Sequence, residues 1–326
     1  MVSAVLILGL LGIIASIGLG IASKKFAVEV DPKVEEINEV LPQANCGGCG
    51  YPGCINFAEA VAKGEADPGG CVVGGDEVAN KVAKIIGVEV STSIRKIAVV
   101  RCSGTKDKCG EKFVYSGVKD CRAANSIAGG FKNCAYGCLG LGSCVNVCPF
   151  NAIKIGENGL PVVNEDLCTG CGNCVKVCPR GIIILVPVNK KVRVLCVSKD
   201  KGNITRKICI AGCIACGRCE RVCPVNAVKV IDNHSEIDFE KCLNCGLCAK
   251  VCPQKVIHDF NDETKPKAFI IEEKCVGCGK CAKICPVNAI SGEIKKVHFV
   301  NEDKCIGCSL CINNCPKNAI ELLQGV

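Results

Sequence analysis

Cysteine spacing constrains this chain more than any other feature. Six runs end in Cys-Pro, at Cys148, Cys178, Cys223, Cys252, Cys285 and Cys315, and five of the six read Cys-x2-Cys-x2-Cys-x3-Cys-Pro. At that spacing three thiolates wrap one iron-sulfur cube, while the fourth, set off by proline, points at the cube of the neighbouring run. Zinc sites also use Cys-x2-Cys, but they draw two such pairs from separated places and leave a third cysteine and a trailing proline without a purpose. Disulfides fit no better, since 33 cysteines is an odd number and no secretory processing signal accompanies them. The runs read as iron sites, with no zinc.

Composition narrows the class. The 326 residues have room for two or three ordinary domains, yet about a tenth are cysteine and none is tryptophan, which is not the make-up of ordinary apolar cores. Bound metal has to supply much of the folding energy. The formal charge of +8 invites a nucleic-acid reading but counts every cysteine as neutral. An oxidised four-iron cube on four thiolates carries about −2, so seven of them turn +8 into about −6. The basic residues are spread through the repeats without an aromatic stacking platform, and no nucleic-acid partner is expected.

Val2 to Ala22 is apolar apart from glycines, Ser3 and Ser16. As a helix it is long enough to cross a bilayer core of about 30 Å. Residues 1–24 are therefore expected to form a single-pass anchor in the cell (inner) membrane, with residues 2–22 in the lipid. A cleavable signal peptide would carry a basic stretch ahead of the apolar run, and export would put the thiols in an oxidising compartment. Lys24 and Lys25 follow directly, which places the remainder on the cytoplasmic side.

A four-cysteine module is expected over residues 30–90. Asp31-Pro32 is a helix start, and Val34, Ile37 and Leu41 then recur on one side. Cys46, Cys49, Cys54 and Cys71 follow, with glycines between the first three, as a cube held in a tight loop requires. Gly48, Gly50 and Gly53 form a Gly-x-Gly-x-x-Gly pattern, but no strand precedes it and Pro52 sits inside it, so it is not a dinucleotide site. A second amphipathic helix through Val78, Val82, Ile85 and Ile86 closes the module, with a linker near residues 88–94.

The remainder is an internal repeat. Successive Cys-Pro landmarks pair as 148 with 178, 223 with 252 and 285 with 315, about thirty residues apart, with longer gaps between pairs. Three tandem two-cluster ferredoxin units of bacterial type result, over residues 95–210, 211–262 and 268–326, each a small α+β fold around its clusters. By the crossed rule the third unit holds Cys275, Cys278, Cys281 with Cys315, and Cys305, Cys308, Cys311 with Cys285. The second holds Cys213, Cys216, Cys219 with Cys252, and Cys242, Cys245, Cys248 with Cys223. After each Cys-Pro one helical turn is expected to lead into a short strand.

The first unit departs from the rule in one half. Cys168, Cys171, Cys174 with Cys148 is regular, but the other run is Cys134-x3-Cys138-x5-Cys144-x3-Cys148-Pro, so its set is Cys134, Cys138, Cys144 and Cys178. Cys102 and Cys109 after the strand-like Ile97 to Val100, Cys121, Cys196 and Cys209 are left over. As buried thiols they pack as small hydrophobes, whereas as ligands Cys102, Cys121, Cys196 and Cys209 supply an eighth cluster beside the seven. Arg180, Arg218 and Arg221 flank ligands and offset cluster charge. His234, His258 and His298 fall between motifs and are expected at the surface.

The apolar N-terminus, Cys-Gly-Gly-Cys-Gly-Tyr-Pro-Gly-Cys, and ferredoxin repeats containing Gly-Cys-Leu-Gly-Leu-Gly-Ser-Cys and Cys-Pro-Phe-Asn-Ala-Ile together resemble the B subunit of the Rnf complex, over essentially the whole chain. The resemblance implies a membrane-bound, ion-translocating ferredoxin:NAD oxidoreductase in which this subunit receives electrons from soluble reduced ferredoxin and relays them to membrane subunits. Flavin and nicotinamide chemistry then belongs to other subunits, and the only functional groups of this chain are its cluster thiolates. A membrane-tethered polyferredoxin serving a hydrogenase or another dehydrogenase has the same chemistry in a different complex; the Cys46 to Cys71 module speaks against it.

Overall fold

The computed structural model describes residues 2–25, 31–89, 94–261 and 265–323, without the side chains of residues 2–6, 8, 23 and 24. Residues 90–93 of the expected linker lie outside the described residues. Two compact units emerge: Met1–Asn45 with Cys49–Ser91, and Cys46–Gly48 with Thr92–Val326.

The first unit opens with helix α1 (Val2–Lys25). Among the described residues no helix is long and apolar enough to cross a membrane. Helix α2 (Pro32–Val40) begins where the sequence places it: the Asp31 carboxylate accepts from the Lys33 N–H, and Pro32 takes the first turn, where no N–H is needed. Val34, Ile37 and Leu41 are all buried, against α3 (Cys54–Ala62) and α4 (Gly75–Ile86). Phe57, Val61 and Val82 complete that core, and Gly87 in the left-handed region ends α4.

The second unit repeats one motif three times. In the first copy β1 (Lys96–Val100) pairs antiparallel with β4 (Ile183–Pro187), enclosing a hairpin of β2 (Ile153–Ile155) and β3 (Pro161–Val163). A short helix carries the third cysteine of each run, α6 (Ser143–Asn146) with Cys144 and α7 (Asn173–Val177) with Cys174, and α5 (Cys121–Ser126) precedes them. The second copy pairs β5 (Val192–Val194) with β8 (Ile257–Asp259) around the hairpin β6 (Val228–Ile231) and β7 (His234–Ile237), with α9 (Arg218–Arg221) and α10 (Leu247–Lys250). The third pairs β9 (Lys267–Ile270) with β12 (Ile320–Leu323) around β10 (Ile290–Ser291) and β11 (Phe299–Val300), with α11 (Lys280–Ile284) and α12 (Leu310–Asn313). The mixed helix and strand content agrees with the expected α+β class. The second copy begins earlier than residue 211, because β5 is its opening strand.

Two insertions distinguish the copies. From β9 to Cys275 the third copy needs only a short 3-10 turn, whereas residues 101–133 follow β1, and residues 195–212, with α8 (Gly202–Ile208), follow β5. The insertions leave the same point of the motif and meet each other. Ser103 donates to the Leu195 carbonyl, Ile210 to that of Lys108, and Cys109 bridges Cys209 in antiparallel fashion. Ion pairs reinforce the join of the first two copies: Glu165 with Lys191 and Arg193, and Arg101 with Glu236.

The segment after each Cys-Pro is a turn with one left-handed residue, not the expected helical turn. Asn151, Gly181, Asn226, Lys255, Asn288 and Asn318, each three residues past the cysteine, all have φ between 47° and 60°. Each donates its N–H back to the cysteine carbonyl, as Asn226 does to Cys223. In four of the six the next N–H then turns inward onto the sulfur: Ala227 to Cys223, Val256 to Cys252, Ala289 to Cys285 and Ala319 to Cys315, at 3.2–3.3 Å. The left-handed turn in these four aims a donor at the sulfur.

Candidate iron-sulfur sites

Thiols in this structure stand around volumes. Among the described residues no three His, Cys, Asp or Glu side chains close on a single-ion site. In the third copy Cys275, Cys278, Cys281 and Cys315 line a cavity of about 350 Å³, which is one crossed set in full. Elsewhere buried thiols of neighbouring runs repel one another, Cys245 beside Cys308, Cys219 beside Cys248 and Cys144 beside Cys174 among them. Burial raises Cys308, and Cys285 and Cys305 add to it. Burial, then Cys245, Cys242 and Cys223 among its neighbours, pushes Cys248 up to about 12. Cys219 is raised by burial with Cys213 and Cys252 beside it. Cys174 is pushed up to about 12 by burial and by Cys168, Cys171 and Cys148.

The irregular half differs from its sequence reading. A cavity of about 380 Å³ is lined by Cys121, Cys138, Cys144 and Cys178, so Cys121 stands where the spacing had put Cys134. Local chemistry explains the placement. Asp120 caps α5 by accepting from the N–H groups of Arg122 and Ala123. Its second oxygen accepts from the buried Ser143 hydroxyl, whose oxygen accepts the Cys121 N–H at 2.7 Å. Ser143 precedes Cys144, so one hydroxyl locks two cysteines of the set together. Cys134 instead lines a different cavity of about 420 Å³ with Cys102, Cys109, Cys196 and Cys209. The candidate eighth set is corrected accordingly: Cys102, Cys196 and Cys209 are there, Cys121 is not, and Cys109 and Cys134 are. Spacing hides this, because the Cys109–Cys209 bridge joins residues a hundred positions apart; the longer loop from Cys134 to Cys144 was the one available signal.

In the four-cysteine module Cys49, Cys54 and Cys71 share one apolar core, and burial raises the Cys71 thiol, with Cys54 and Cys49 adding repulsion. Cys46 falls with the second compact unit.

These surroundings suit an anionic cube. Buried, mutually repelling thiols are poor free thiolates and good ligands, since iron offsets their charge. The Arg180 guanidinium lines the Cys121 cavity, and its buried Nε has no partner in the protein. Burial lowers the Arg180 pKa, and Cys134, Cys178, Cys138 and Cys121 act against that. The Ser235 hydroxyl lies 3.1 Å from Cys219 Sγ and 3.7 Å from Cys213 Sγ. Arg218 and Arg221, by contrast, are exposed beside the exposed Cys216. Two histidines are not at the surface. His234 is buried because it pairs with Glu236, which also holds Arg101, and buried His298 lines the Cys275 cavity; His258 is half-buried, stacked on Phe260.

Family comparisons agree with this inventory. A 4Fe-4S dicluster domain matches residues 129–182, 167–228, 212–256, 241–289 and 268–322, and an Fe-S cluster family matches residues 41–73. The B subunit of the Na(+)-translocating ferredoxin:NAD(+) oxidoreductase complex of Acetobacterium woodii is 47% identical over 82% of this chain and 80% of its own length. The B subunit of the ion-translocating oxidoreductase complex of Methanosarcina acetivorans is 43% identical over 79% of this chain and 97% of its own. The B subunit of the proton-translocating ferredoxin:NAD(+) oxidoreductase complex of Clostridium ljungdahlii is 48% identical over 71% and 82%.

Proposed function

From the premise that the chain belongs to the B-subunit family of Rnf-type ion-translocating ferredoxin:NAD oxidoreductases, we propose that it accepts electrons from soluble reduced ferredoxin and relays them through its cysteine sites to membrane subunits. That it is an electron-transfer subunit of such a complex, with several 4Fe-4S domains, follows from the family itself. The observation that carries the relay is that four thiols from two runs line one cavity in the third copy, Cys275, Cys278, Cys281 with Cys315, and that Cys138, Cys144 and Cys178 line another with Cys121 in the first.

When bound, a 4Fe-4S cube supplies a one-electron carrier. The chain's own residues hold it and set its electrostatics. In this reading seven sets act: Cys46, Cys49, Cys54 with Cys71; Cys121, Cys138, Cys144 with Cys178; and the five regular crossed sets. Backbone donors such as Ala227 and Ala319, the Ser235 hydroxyl and Arg180 stabilise the more negative reduced state.

Ferredoxin docks on the third copy, where Cys278, Val276 and Phe299 are all exposed. The Cys46 module is the exit to flavin- and NAD-binding partners, which carry the nucleotide sites. Residues 2–22 anchor the chain in the cell membrane with the cluster domains in the cytoplasm, on the support of the apolar run and Lys24-Lys25.

Deleting residues 267–323 tests the direction. Reduction by ferredoxin should slow while transfer from a small chemical reductant to membrane partners persists, and Cys46→Ala with Cys49→Ala should do the reverse. The opposite pairing of losses would refute the proposed order. Protease added to sealed right-side-out cells should spare the repeats, and digestion from outside would contradict the orientation.

A further inference from the structure

We propose that the cavity formed where the two insertions meet holds an additional 4Fe-4S cube, on Cys109, Cys134, Cys209 and Cys102, and that this cube joins the first ferredoxin copy to the second. The proposal rests on the relay reading above and extends it to a site that neither the repeat spacing nor the matched domains assign.

Three observations carry it. The first is the lining: thiols from β1's insertion, from the displaced Cys134 and from β5's insertion meet around one volume of about 420 Å³, with Cys109, Cys134 and Cys209 packed together at its wall. Gly104 gives the room. A Cβ there would come within 3.2 Å of Cys209 Sγ, 3.3 Å of Cys109 Cβ and 3.7 Å of Cys102 Sγ, so three of the four proposed ligands crowd this one backbone position.

The second observation is Lys132. It is 6% exposed and its ammonium donates to the carbonyls of Gly104 and Cys138. Among the described residues no carboxylate pairs with it. A buried cation without a counter-charge is costly. Five neutral thiols leave that cost in place, whereas a cube on four thiolates removes it.

The third is position. Cys102 Sγ accepts the N–H of Cys138, a thiol of the first copy's irregular set, at 3.4 Å. On the far side Cys196 Sγ accepts the N–H of Cys213, the first thiol of the second copy, at 3.3 Å. The cavity therefore touches one site of each copy. In a transfer one electron passes from a reduced cube of one copy to the oxidised intermediate cube, and one passes on to the oxidised cube of the other; no bond or proton changes.

The full chain, purified without oxygen, tests this by iron, sulfide and spin counting. About 32 iron and 32 sulfide are expected, and Cys109→Ala with Cys209→Ala should leave about 28, with one reduced-cluster spin lost. Cys102→Ala should lose the same four iron and Cys196→Ala should keep them; the reverse would overturn the fourth ligand. Wild-type protein at about 28 iron would sink the added site and leave the seven-site relay standing, a result independent of whether any variant folds. Protein without stoichiometric iron and sulfide would sink both. The bridging role has its own readout. After a brief light-driven injection of electrons into partly reduced chain, redistribution between the copies should be one fast phase in wild type and acquire a slow phase, at least tenfold slower, in the Cys109/Cys209 variant. Unchanged redistribution would refute the bridge.

Discussion

The third ferredoxin copy and the first run of the first copy use the same fold to opposite ends. In the third, Cys275, Cys278, Cys281 and Cys315 surround one cavity as their spacing dictates, and β9 leads almost directly into the run. In the first, an insertion separates β1 from Cys134, the spacing loosens, and a cysteine from α5 takes the corner that Cys134 leaves. A tight repeat fixes its ligands through the backbone alone. A loosened one has to import a ligand and hold it by side chains, which here are Asp120 and Ser143.

The largest effect should come from breaking the regular copy. Cys281→Ala removes a buried thiol of the set that lines the cavity, from a copy whose buried core is otherwise Ala268, Ile270, Ile290, Ile320 and Cys311. About four iron should be lost, and amide exchange across residues 267–323 should rise toward that of an unfolded segment, because metal binding is folding energy here. Retained protection would mean that the strands suffice without the cube.

The next test separates the two readings of the irregular run. Cys121→Ala should cost about four iron from the first copy, measured against wild type, and release Arg180 from its counter-charge. If the variant keeps its iron, the spacing-based set with Cys134 is the right one. Ser143→Ala attacks the same corner without touching a ligand. It strands the buried Cys121 N–H and one Asp120 oxygen, a loss of about 1–3 kcal/mol, and iron release to a chelator should speed up accordingly. An unchanged release rate would show that Cys121 is held by something else.

Part of this was legible in the sequence, for a physical reason. Where three cysteines sit within seven residues, spacing limits which thiols can meet, and Cys275, Cys278, Cys281 and Cys315, grouped on spacing alone, line one cavity. The helix starting at Asp31-Pro32 and its buried face were equally local. What escaped depends on contacts between insertions. Cys109 reaches Cys209 through a bridge that no pattern announces, and Cys121 reaches its cavity through a hydroxyl on another helix. His234 escaped likewise, because its partner Glu236 is shared with Arg101 of the first copy.

Finer than ligand loss is tuning. In the second copy Ser235 presents its hydroxyl to both Cys213 and Cys219. A donor to sulfur favours the more negative reduced state, so Ser235→Ala should lower that cluster's potential by roughly 20–60 mV, about 0.5–1.4 kcal/mol for one electron. A potential that stays put would assign the hydroxyl to packing alone.

The smallest effect lies in the repeat's own imperfections. Ahead of each run's helix stands a left-handed residue, glycine at 142, 172, 217, 246 and 279, but Ser309 at φ 61° in the last run. After the Cys-Pro the left-handed position is Asn or Gly in five runs and Lys255 in one. A side chain with Cβ pays a steric cost there that glycine avoids, partly offset by glycine's greater freedom when unfolded. Ser309→Gly and Lys255→Gly should therefore each stabilise their copy by about 0.5–1 kcal/mol. The gain should appear as slower iron release in denaturant, with ligands and potentials unchanged. If Ser309→Gly instead speeds release, its backbone is not left-handed in the cluster-bound chain, and the last run is less regular than its spacing implies.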